Sequence, residues 1–468
     1  MASDKHGLNL KREVGIIGAI SFIAGTMMGS GIFISPQYVM STIGSPGAGL
    51  LIWASCGLIA MLGGLCYAEL GTVIPESGGE YIYMLRTAGR VVAFMFVFSF
   101  VTVMRPASAT GIALSFAEYA VAPFFPDCPP PQLVVKCAAA GAIIVLALVN
   151  CLSSRLATII QVVTLVVKVL ALALIIVGGV VMLFEKGTGN FENAFEGTHL
   201  QVKSFGIAFY QGLWSYDGWN TLNYLTEELK HPEVNLPRAV IIAISLVTGL
   251  YLLVNVSYLT VMTPKELISS SAVAVTWGNK VLGSWGWIMS IAAALSAFGS
   301  LNGTFFSGGR VCFVAAREGH MPDILSMAHV HRLTPSPALI FTTVVSLLVL
   351  IPGDFQSIVN FFSFTAWIFY AITFSGLLYL KIKKPELPRP YRVPIILPIL
   401  VLIAAVFLVL APIIDDPQIE YLYVTLFIFS GVLIYIPFIH YKLCPNLLTK
   451  LTIFLQLFLE VAPAEKNL

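Results

Sequence analysis

Charged residues are scarce in this chain. Lys, Arg, Asp and Glu together supply only 11% of its 468 residues, whereas a soluble domain usually has about 25%. Hydrophobic residues supply 57% and the mean hydropathy is +0.88, which excludes a soluble globular enzyme and a disordered chain. The formal net charge of +2 gives no electrostatic reason to expect binding to nucleic acid.

Cysteine is sparse as well, and the familiar catalytic and metal motifs are missing. Seven cysteines are too few for a disulfide-dense secreted scaffold. No cysteine pair has zinc-ligand spacing with a suitable histidine, and the sequence has no nucleophile elbow or phosphate-binding glycine loop. We therefore expect no enzymatic activity, no bound metal and no cofactor. The class that remains is a polytopic helical protein of the lipid bilayer.

Long apolar stretches divide the chain into about twelve membrane spans of roughly 20 residues each. The sequence predicts an all-α membrane domain over residues 14–443, between a cytoplasmic N-terminal segment (1–13) and a cytoplasmic tail (444–468) with an amphipathic helix near 451–461. Both termini are expected inside because most Lys and Arg fall on their side of the membrane. The outer loops hold Lys186, Lys203, Lys265 and Lys280.

Two spans contain small residues where a continuous helix is expected. Gly25–Gly31 interrupts the first span and Gly212–Asn220 the sixth, so that one break opens each group of five spans. Backbone groups freed in mid-membrane must line a cavity or bind something. The two breaks therefore predict a transporter with two inverted repeats of five spans, two additional C-terminal helices and a binding site at the midplane. The alternative is that the glycines serve only close helix packing.

The breaks offer the two kinds of partner that a zwitterionic amino acid needs. Free N–H groups of Ser30 and Gly31, at the positive end of a half-helix, suit a carboxylate. Unpaired carbonyls near Met27 and Trp214 suit an ammonium group. Trp214 lies on the break itself and is the predicted gate over the substrate. The predicted substrate-binding residues are Met27, Gly29, Ser30, Gly31, Trp214, Ser215, Asp217, Asn220 and Arg105.

Three ionisable residues lie inside predicted spans, where each charge costs roughly 2.5–3.5 kcal/mol and needs a reason. Asp217 is predicted to meet a cationic substrate group, or else to cap the break or pair with Arg105 or Lys168. Lys168 is predicted to donate to unwound carbonyls of span one in place of a sodium ion, either as part of the transport cycle or as a structural group. Arg105 either faces the cavity, which favours anionic or neutral ligands, or pairs with Asp217 or Glu118.

A proline-rich loop between spans three and four carries Cys128. The loop is predicted to lie outside the cell, where disulfides persist. A single exposed extracellular cysteine suggests an intermolecular bridge. The alternatives are a disulfide to Cys137 and a free thiol.

Short motifs along most of the chain form a recognisable set. They are Gly25–Phe33, Ala68–Gly71, Ser77–Glu80, Tyr216–Asn220 with Thr226–Glu228, Ala316–His320 and Phe361–Ser363. This set, from about residue 13 to residue 461, resembles the light subunits of heteromeric amino acid transporters, in the amino acid–polyamine–organocation superfamily. Within that family, Phe209–Asn220 and Pro130–Cys137 are most similar to the light subunit that handles cystine and basic plus neutral amino acids.

The resemblance implies a LeuT-type fold and sodium-independent amino acid exchange at the plasma membrane, with the apical membrane of an epithelium as one location. It implies a single-span glycoprotein heavy subunit that is disulfide-linked at Cys128. It also implies that Ser30 and Gly31 hold the substrate carboxylate, that Met27 and Trp214 contact the amine, and that the cationic group meets Asp217.

Three features differ from the light subunit that handles cystine and basic plus neutral amino acids. Arg105 stands where that light subunit has lysine and is similar to an arginine of the cystine/glutamate exchanger, whose second arginine is replaced here by Ala366. Met27 and Met28 replace the usual isoleucines and soften the wall of the site. Two alternative functions are therefore kept. One is an exchanger for aromatic, large neutral or acidic amino acids, and the other is a non-transporting amino acid sensor.

Overall fold

A computed structural model describes most of the chain. The described residues are 8–9, 12–29, 31–125, 130–270, 272–331, 334–351, 355–414, 419–440 and 445–465. The structure is nearly all helical within them, as the sequence predicts. The α-helices are α1 Ile16–Met27, α2 Gly31–Ile43, α3 Pro46–Val73, α4 Glu80–Thr87, α5 Arg90–Ser99, α6 Arg105–Val121, α7 Gln132–Leu152, α8 Ser154–Lys186, α9 Val202–Ser215, α10 Pro232–Val261, α11 Pro264–Ser269, α12 Val273–Val281, α13 Trp287–Arg317, α14 Ser336–Leu350, α15 Phe355–Lys383, α16 Ile396–Ile414, α17 Ile419–Tyr435 and α18 Pro445–Leu459.

The membrane spans follow from helix length and composition. Ten segments of the described chain are long and apolar enough to cross a bilayer, with α1 and α2 counted as one and α5 and α6 joined by a π-helical turn at Phe100–Met104. The two remaining predicted spans, six and nine, correspond to α9 and α14, which have 14 and 15 residues. Span six is short because its α-helix ends at the predicted break.

Both predicted interruptions are present, but they differ in form. The first is brief, since α1 ends at Met27 and α2 begins at Gly31. After α9 ends at Ser215, the chain continues through turns and two short 3₁₀ helices, Thr221–Tyr224 and Thr226–Glu228, instead of a second α-helix. One cause is Gly218, whose φ of +111° lies outside the helical region.

The first break lies in the protein interior. Helix α1 packs against α8, α10 and α13, and α2 packs against α9. Every residue of α1 from Ser21 to Met27 is buried. The freed backbone groups therefore face protein and not lipid, as the bilayer requires.

A small sheet joins both ends of the chain at one end of the bundle, which the sequence does not predict. We call this the inner end, after the side of the membrane on which the sequence predicts both termini. Helix α1 begins there and α13 ends there. Strand β3, Val461–Glu465, pairs in parallel with β1, Leu8–Asn9, and antiparallel with β2, Met327–His329. Helix α18 precedes β3 and exposes large apolar side chains such as Leu457 and Phe458.

Candidate substrate site

Glycines allow the two breaks to approach each other closely. A Cβ atom on Gly31 would lie 2.5 Å from Ser215 Oγ and 2.6 Å from Ser215 Cα, and one on Gly218 would lie 2.6 Å from Thr26 Cγ2. A side chain at either position would push the broken segments apart. The two interpretations of these glycines are therefore compatible, because the residues that interrupt the helices also permit their packing.

Two small cavities lie at the breaks. The central cavity is lined by Thr26, Met27, Gly29, Gly31, Ile112, Trp214, Asp217 and Ser300. The side cavity is lined by Leu213, Trp214, Asp217, Trp219, Phe362, Ser363, Ala366, Trp367 and Tyr370. Each has a volume of about 10 Å³, which is the room that one water molecule needs. An amino acid can therefore enter only if the surrounding helices move apart.

Five predicted substrate residues meet at the central cavity, namely Met27, Gly29, Gly31, Trp214 and Asp217. Asp217 also lines the side cavity, and it is the only residue of the stretch 211–220 that is not buried. The carboxylate-bearing residue of this segment therefore borders both cavities. Ser30 lies outside the described residues.

Three other predicted residues do not line either cavity. Ser215 is fully buried against Gly31. Asn220 lies in a polar layer next to the site, where its Nδ2 donates to Glu80 Oε1 and lies 3.1 Å from the Tyr224 hydroxyl oxygen. Arg105, the third, is treated separately below. Glu80 belongs to the family motif Ser77–Glu80, but its position beside the site was not predicted from the sequence.

The break carbonyls have donors within the protein. The Tyr251 hydroxyl lies 2.5 Å from Met27 O and 2.7 Å from Ser215 O, so one side chain of α10 bridges both breaks. The Asp217 N–H donates to Trp214 O at 3.2 Å. The expectation of unpaired carbonyls at Met27 and Trp214 is therefore wrong for this state, although each carbonyl has a second lone pair to offer. This role of Tyr251 was not predicted from the sequence, because a tyrosine in an apolar span usually indicates packing.

Lys168 makes the contact that the sequence predicts. It is fully buried, and its Nζ donates to the carbonyl of Gly25 in α1. A Cβ atom on Gly299 of α13 would lie 2.8 Å from the same Nζ. The ammonium group therefore lies where α1, α8 and α13 meet, and among the described residues it has no carboxylate within 4 Å.

Arg105 is buried and stacked on aromatic rings. Its guanidinium carbon lies 4.7 Å from the centre of the Phe100 ring and 5.6 Å from that of Tyr224. Within the part of the chain that the structure describes, it forms no ion pair with Asp217 or Glu118. Cation–π contacts thus replace both of the pairings that the sequence left open.

The aromatic residues of span six differ in their surroundings. Trp214 stands perpendicular to the rings of Phe355 and Phe362, with centroids 6.0 and 5.5 Å away, and borders both cavities. Tyr216 is fully buried against Tyr251 and donates to Trp53 O. Of Trp214 and Tyr216, only Trp214 borders the cavities.

Buried ion pairs close the inner end of the bundle. Arg310 Nε donates to Glu228 Oε2 at 2.6 Å, and Arg317 Nη2 lies 2.9 Å from Glu227 Oε1. These pairs connect the end of span six to α13. A third group surrounds Glu69, whose Oε1 lies 2.9 Å from Lys381 Nζ and 3.3 Å from Arg389 Nε.

Cys128 lies outside the described residues, so the three alternatives for its thiol stay predictions. Cys137 is a free, exposed thiol in the described part of the chain.

Paired helix breaks that surround a small interior site, in a bundle of long apolar helices, define a multi-pass membrane transporter. Comparison of the sequence with known protein families gives the same class of protein. The family model for amino acid permeases matches residues 14–438, and the chain belongs to this family. Its fold is accordingly the LeuT type, with broken spans one and six, and its function is transport and not enzymatic catalysis.

Individual relatives are similar over nearly the whole length. The chain is 50% identical to the human b(0,+)-type amino acid transporter 1 over 461 residues, which cover 98% of this chain and 95% of the relative. It is 48% identical to the mouse protein of the same name over the same length. It is 43% identical to the mouse large neutral amino acids transporter small subunit 2 over 424 residues, which cover 89% of this chain and 79% of the relative.

Proposed function

We propose that this protein is a sodium-independent amino acid exchanger of the plasma membrane that carries neutral and basic amino acids, cystine among them. The observation that carries the proposal is the position of Asp217, a carboxylate that borders both cavities at the break of span six. The names of two relatives, a b(0,+)-type amino acid transporter and a large neutral amino acids transporter small subunit, support the same substrate class.

The substrate backbone would bind between the two breaks. Helix α2 begins at Gly31, so its first N–H groups and the positive end of its dipole face the central cavity and suit a carboxylate. The second lone pairs of the carbonyls at Met27 and Trp214 suit the ammonium group. Ser30 and Gly29 complete this proposed set.

The substrate side chain would enter the side cavity. Asp217 and five aromatic residues line it, namely Trp214, Trp219, Phe362, Trp367 and Tyr370. Aromatic faces and a carboxylate are the partners that a basic side chain prefers, and aromatic faces also accept apolar side chains. Arg105 stacks on Phe100 and Tyr224 and is not among the residues that line this cavity.

Lys168 supports independence from sodium. Its Nζ donates to the Gly25 carbonyl in the last turn of α1. In a sodium-coupled relative, an ion would occupy this place. We assign Lys168 to the movement of α1 in the transport cycle, in which spans one, two, six and seven rock against three, four, eight and nine.

The partner would be a single-span glycoprotein heavy subunit that is linked by a disulfide to Cys128. The term "small subunit" in the name of one relative supports a larger companion chain. The excess of Lys and Arg in the inner loops supports cytoplasmic termini. An apical epithelial membrane is the location that the resemblance favours. A non-reducing gel should show a heavier complex that Cys128→Ser abolishes.

The test is uptake of radiolabelled arginine and leucine into proteoliposomes, with and without internal amino acid. Asp217→Asn keeps the size of the side chain but removes its charge, and we expect arginine uptake to fall about ten- to a hundredfold while leucine uptake changes little. Glu196→Gln, which neutralises an exposed carboxylate in the loop between α8 and α9, should leave both unchanged.

Three results would contradict the proposal. Arginine uptake that is insensitive to Asp217→Asn would remove the role of this carboxylate. Uptake that does not depend on internal amino acid would remove exchange. Binding without any flux would favour the sensor.

A further inference from the structure

A third cavity, larger than the central and side cavities, opens at the inner end of the molecule. Its volume is about 500 Å³. It is lined by Arg12, Gly71, Thr72, Pro75, Lys230, His231, Pro232 and Glu233, which belong to the ends of spans one, two, six and seven. None of these residues borders the central or the side cavity. We call it the inner cavity, and it is a separate place from the substrate site.

The lining of the inner cavity carries an excess of positive charge. Arg12 and Lys230 are cations, His231 adds a further nitrogen donor, and Glu233 is the only carboxylate in the lining. Lys230 and Glu233 form no ion pair with each other or with another described side chain. A concave surface with this charge attracts anions.

Hydrogen bonds hold the basic residues in place. Arg12 Nη1 donates to Leu229 O at 2.7 Å. The Lys230 N–H donates to Val14 O at 2.8 Å, which ties the segment before α10 to the segment before α1. His231 has a φ of +47°, a strained backbone conformation for a residue with a side chain. Such strain persists only where surrounding structure fixes the residue, as at binding sites.

We propose that the inner cavity binds the headgroup of an anionic phospholipid from the adjacent leaflet. This inference rests on the proposed orientation, which places the cavity at the cytoplasmic headgroup level, where anionic lipids are concentrated. Just beyond its rim, α10 exposes Val234, Ile241 and Ile242, each at least 41% accessible. These side chains give acyl chains an apolar path from the cavity into the bilayer, which favours a lipid over a free phosphate.

The test measures binding directly, using the purified full-length chain in detergent and dioctanoyl phosphatidylinositol 4-phosphate as the probe. Lys230→Gln should raise the Kd about fivefold, since it removes one cation beside the headgroup. Lys383→Gln removes an exposed cation at the end of α15, outside the cavity, and should leave the Kd unchanged. His231→Gln is a second variant that should also weaken binding, and thermal unfolding confirms that each variant is folded.

Four results would overturn the inference. They are an unchanged Kd in both cavity variants, an equal loss in Lys383→Gln, equal binding of dioctanoyl phosphatidylcholine, and binding of chain-free inositol 1,4-bisphosphate as tight as that of the lipid. The last would indicate a soluble anion. Because no transport is measured, failure here leaves the proposed exchange activity untouched, and failure of exchange leaves this site untouched.

Discussion

Buried charged side chains have different kinds of partner at the inner end and at the centre of this protein. At the inner end, Arg310 meets Glu228 and Arg317 meets Glu227, each within 3 Å. At the centre, Lys168 relies on a backbone carbonyl and Arg105 on aromatic rings. Asp217 faces two cavities. The two buried ion pairs at the inner end therefore need no ligand, whereas the centre keeps a carboxylate that the proposed substrate would satisfy.

The largest effect should follow from removing one member of an inner ion pair. Arg310→Met leaves Glu228 buried without its partner, so the free energy of unfolding should fall by about 3–5 kcal/mol. Thermal unfolding of the purified protein measures this. The double variant Arg310→Met/Glu228→Met removes both charges and should regain most of the loss. A double variant no more stable than the single one would show that the pair does not act as a unit.

A smaller loss of stability is expected from a substitution at the centre, where the backbones of the two helix breaks lie close together. In Gly31→Ala, the new Cβ meets Ser215, so we expect a loss of about 1–3 kcal/mol of stability and of most substrate uptake. Gly249→Ala is the matched control, because a Cβ there meets nothing within 4 Å. Full uptake by Gly31→Ala would mean that the breaks need not touch.

Lys168→Met should separate stability from transport. The variant loses a charged hydrogen bond but also loses the cost of burying a charge, so stability should change by no more than about 2 kcal/mol. Uptake should fall at least about tenfold if the ammonium group serves the transport cycle. Lys186→Met, at the exposed end of the same helix, is the control. Unaltered uptake would leave Lys168 with a structural role only.

The smallest effect concerns His320, a buried histidine at the inner end that forms no ion pair with any other residue that the structure describes. Its Nδ1 lies 2.7 Å from the Tyr81 hydroxyl. Burial, followed by the nearby charge of Arg90, lowers the pKa of His320 to about 4 from its ordinary value of 6.5. The unfolded chain therefore binds a proton between pH 6.5 and 4 that the folded protein does not. The stability is complete above pH 6.5 and is lost as the pH falls towards 4.

Thermal unfolding at pH 7.5 and pH 5 tests this shift. The wild-type protein should lose more stability between the two than His320→Gln, whose side chain does not titrate. An equal loss in both proteins would show that His320 is not responsible.

Much of the site was predictable from local sequence. Gly25–Gly31 and Gly212–Asn220 predict both breaks, because glycine in an apolar run weakens a helix wherever it occurs. Asp217 stands out because a carboxylate in a span is costly. The conformation after Ser215 was less predictable, since turns and 3₁₀ helices differ from an α-helix by small backbone energies that packing decides.

Other features needed the tertiary structure. Tyr251 bridges the two breaks, yet its sequence surroundings are those of an ordinary apolar span. Arg105 stacks on Phe100 in the preceding turn of its own span, but its contact with Tyr224 joins segments that are more than a hundred residues apart. Strand β3 joins the N-terminal segment to β2 across more than a hundred residues, and strands of two to five residues leave little periodic signal.

Composition and spacing thus determined that this chain spans a membrane, where its helices break and which charges lie inside it. These properties follow from the transfer of single residues and short segments into lipid, which depends on local sequence alone. The tertiary structure decided which partner each buried charge and freed carbonyl has. Such pairings depend on distances between segments that are far apart in the chain, and only the packing of the helices sets those distances.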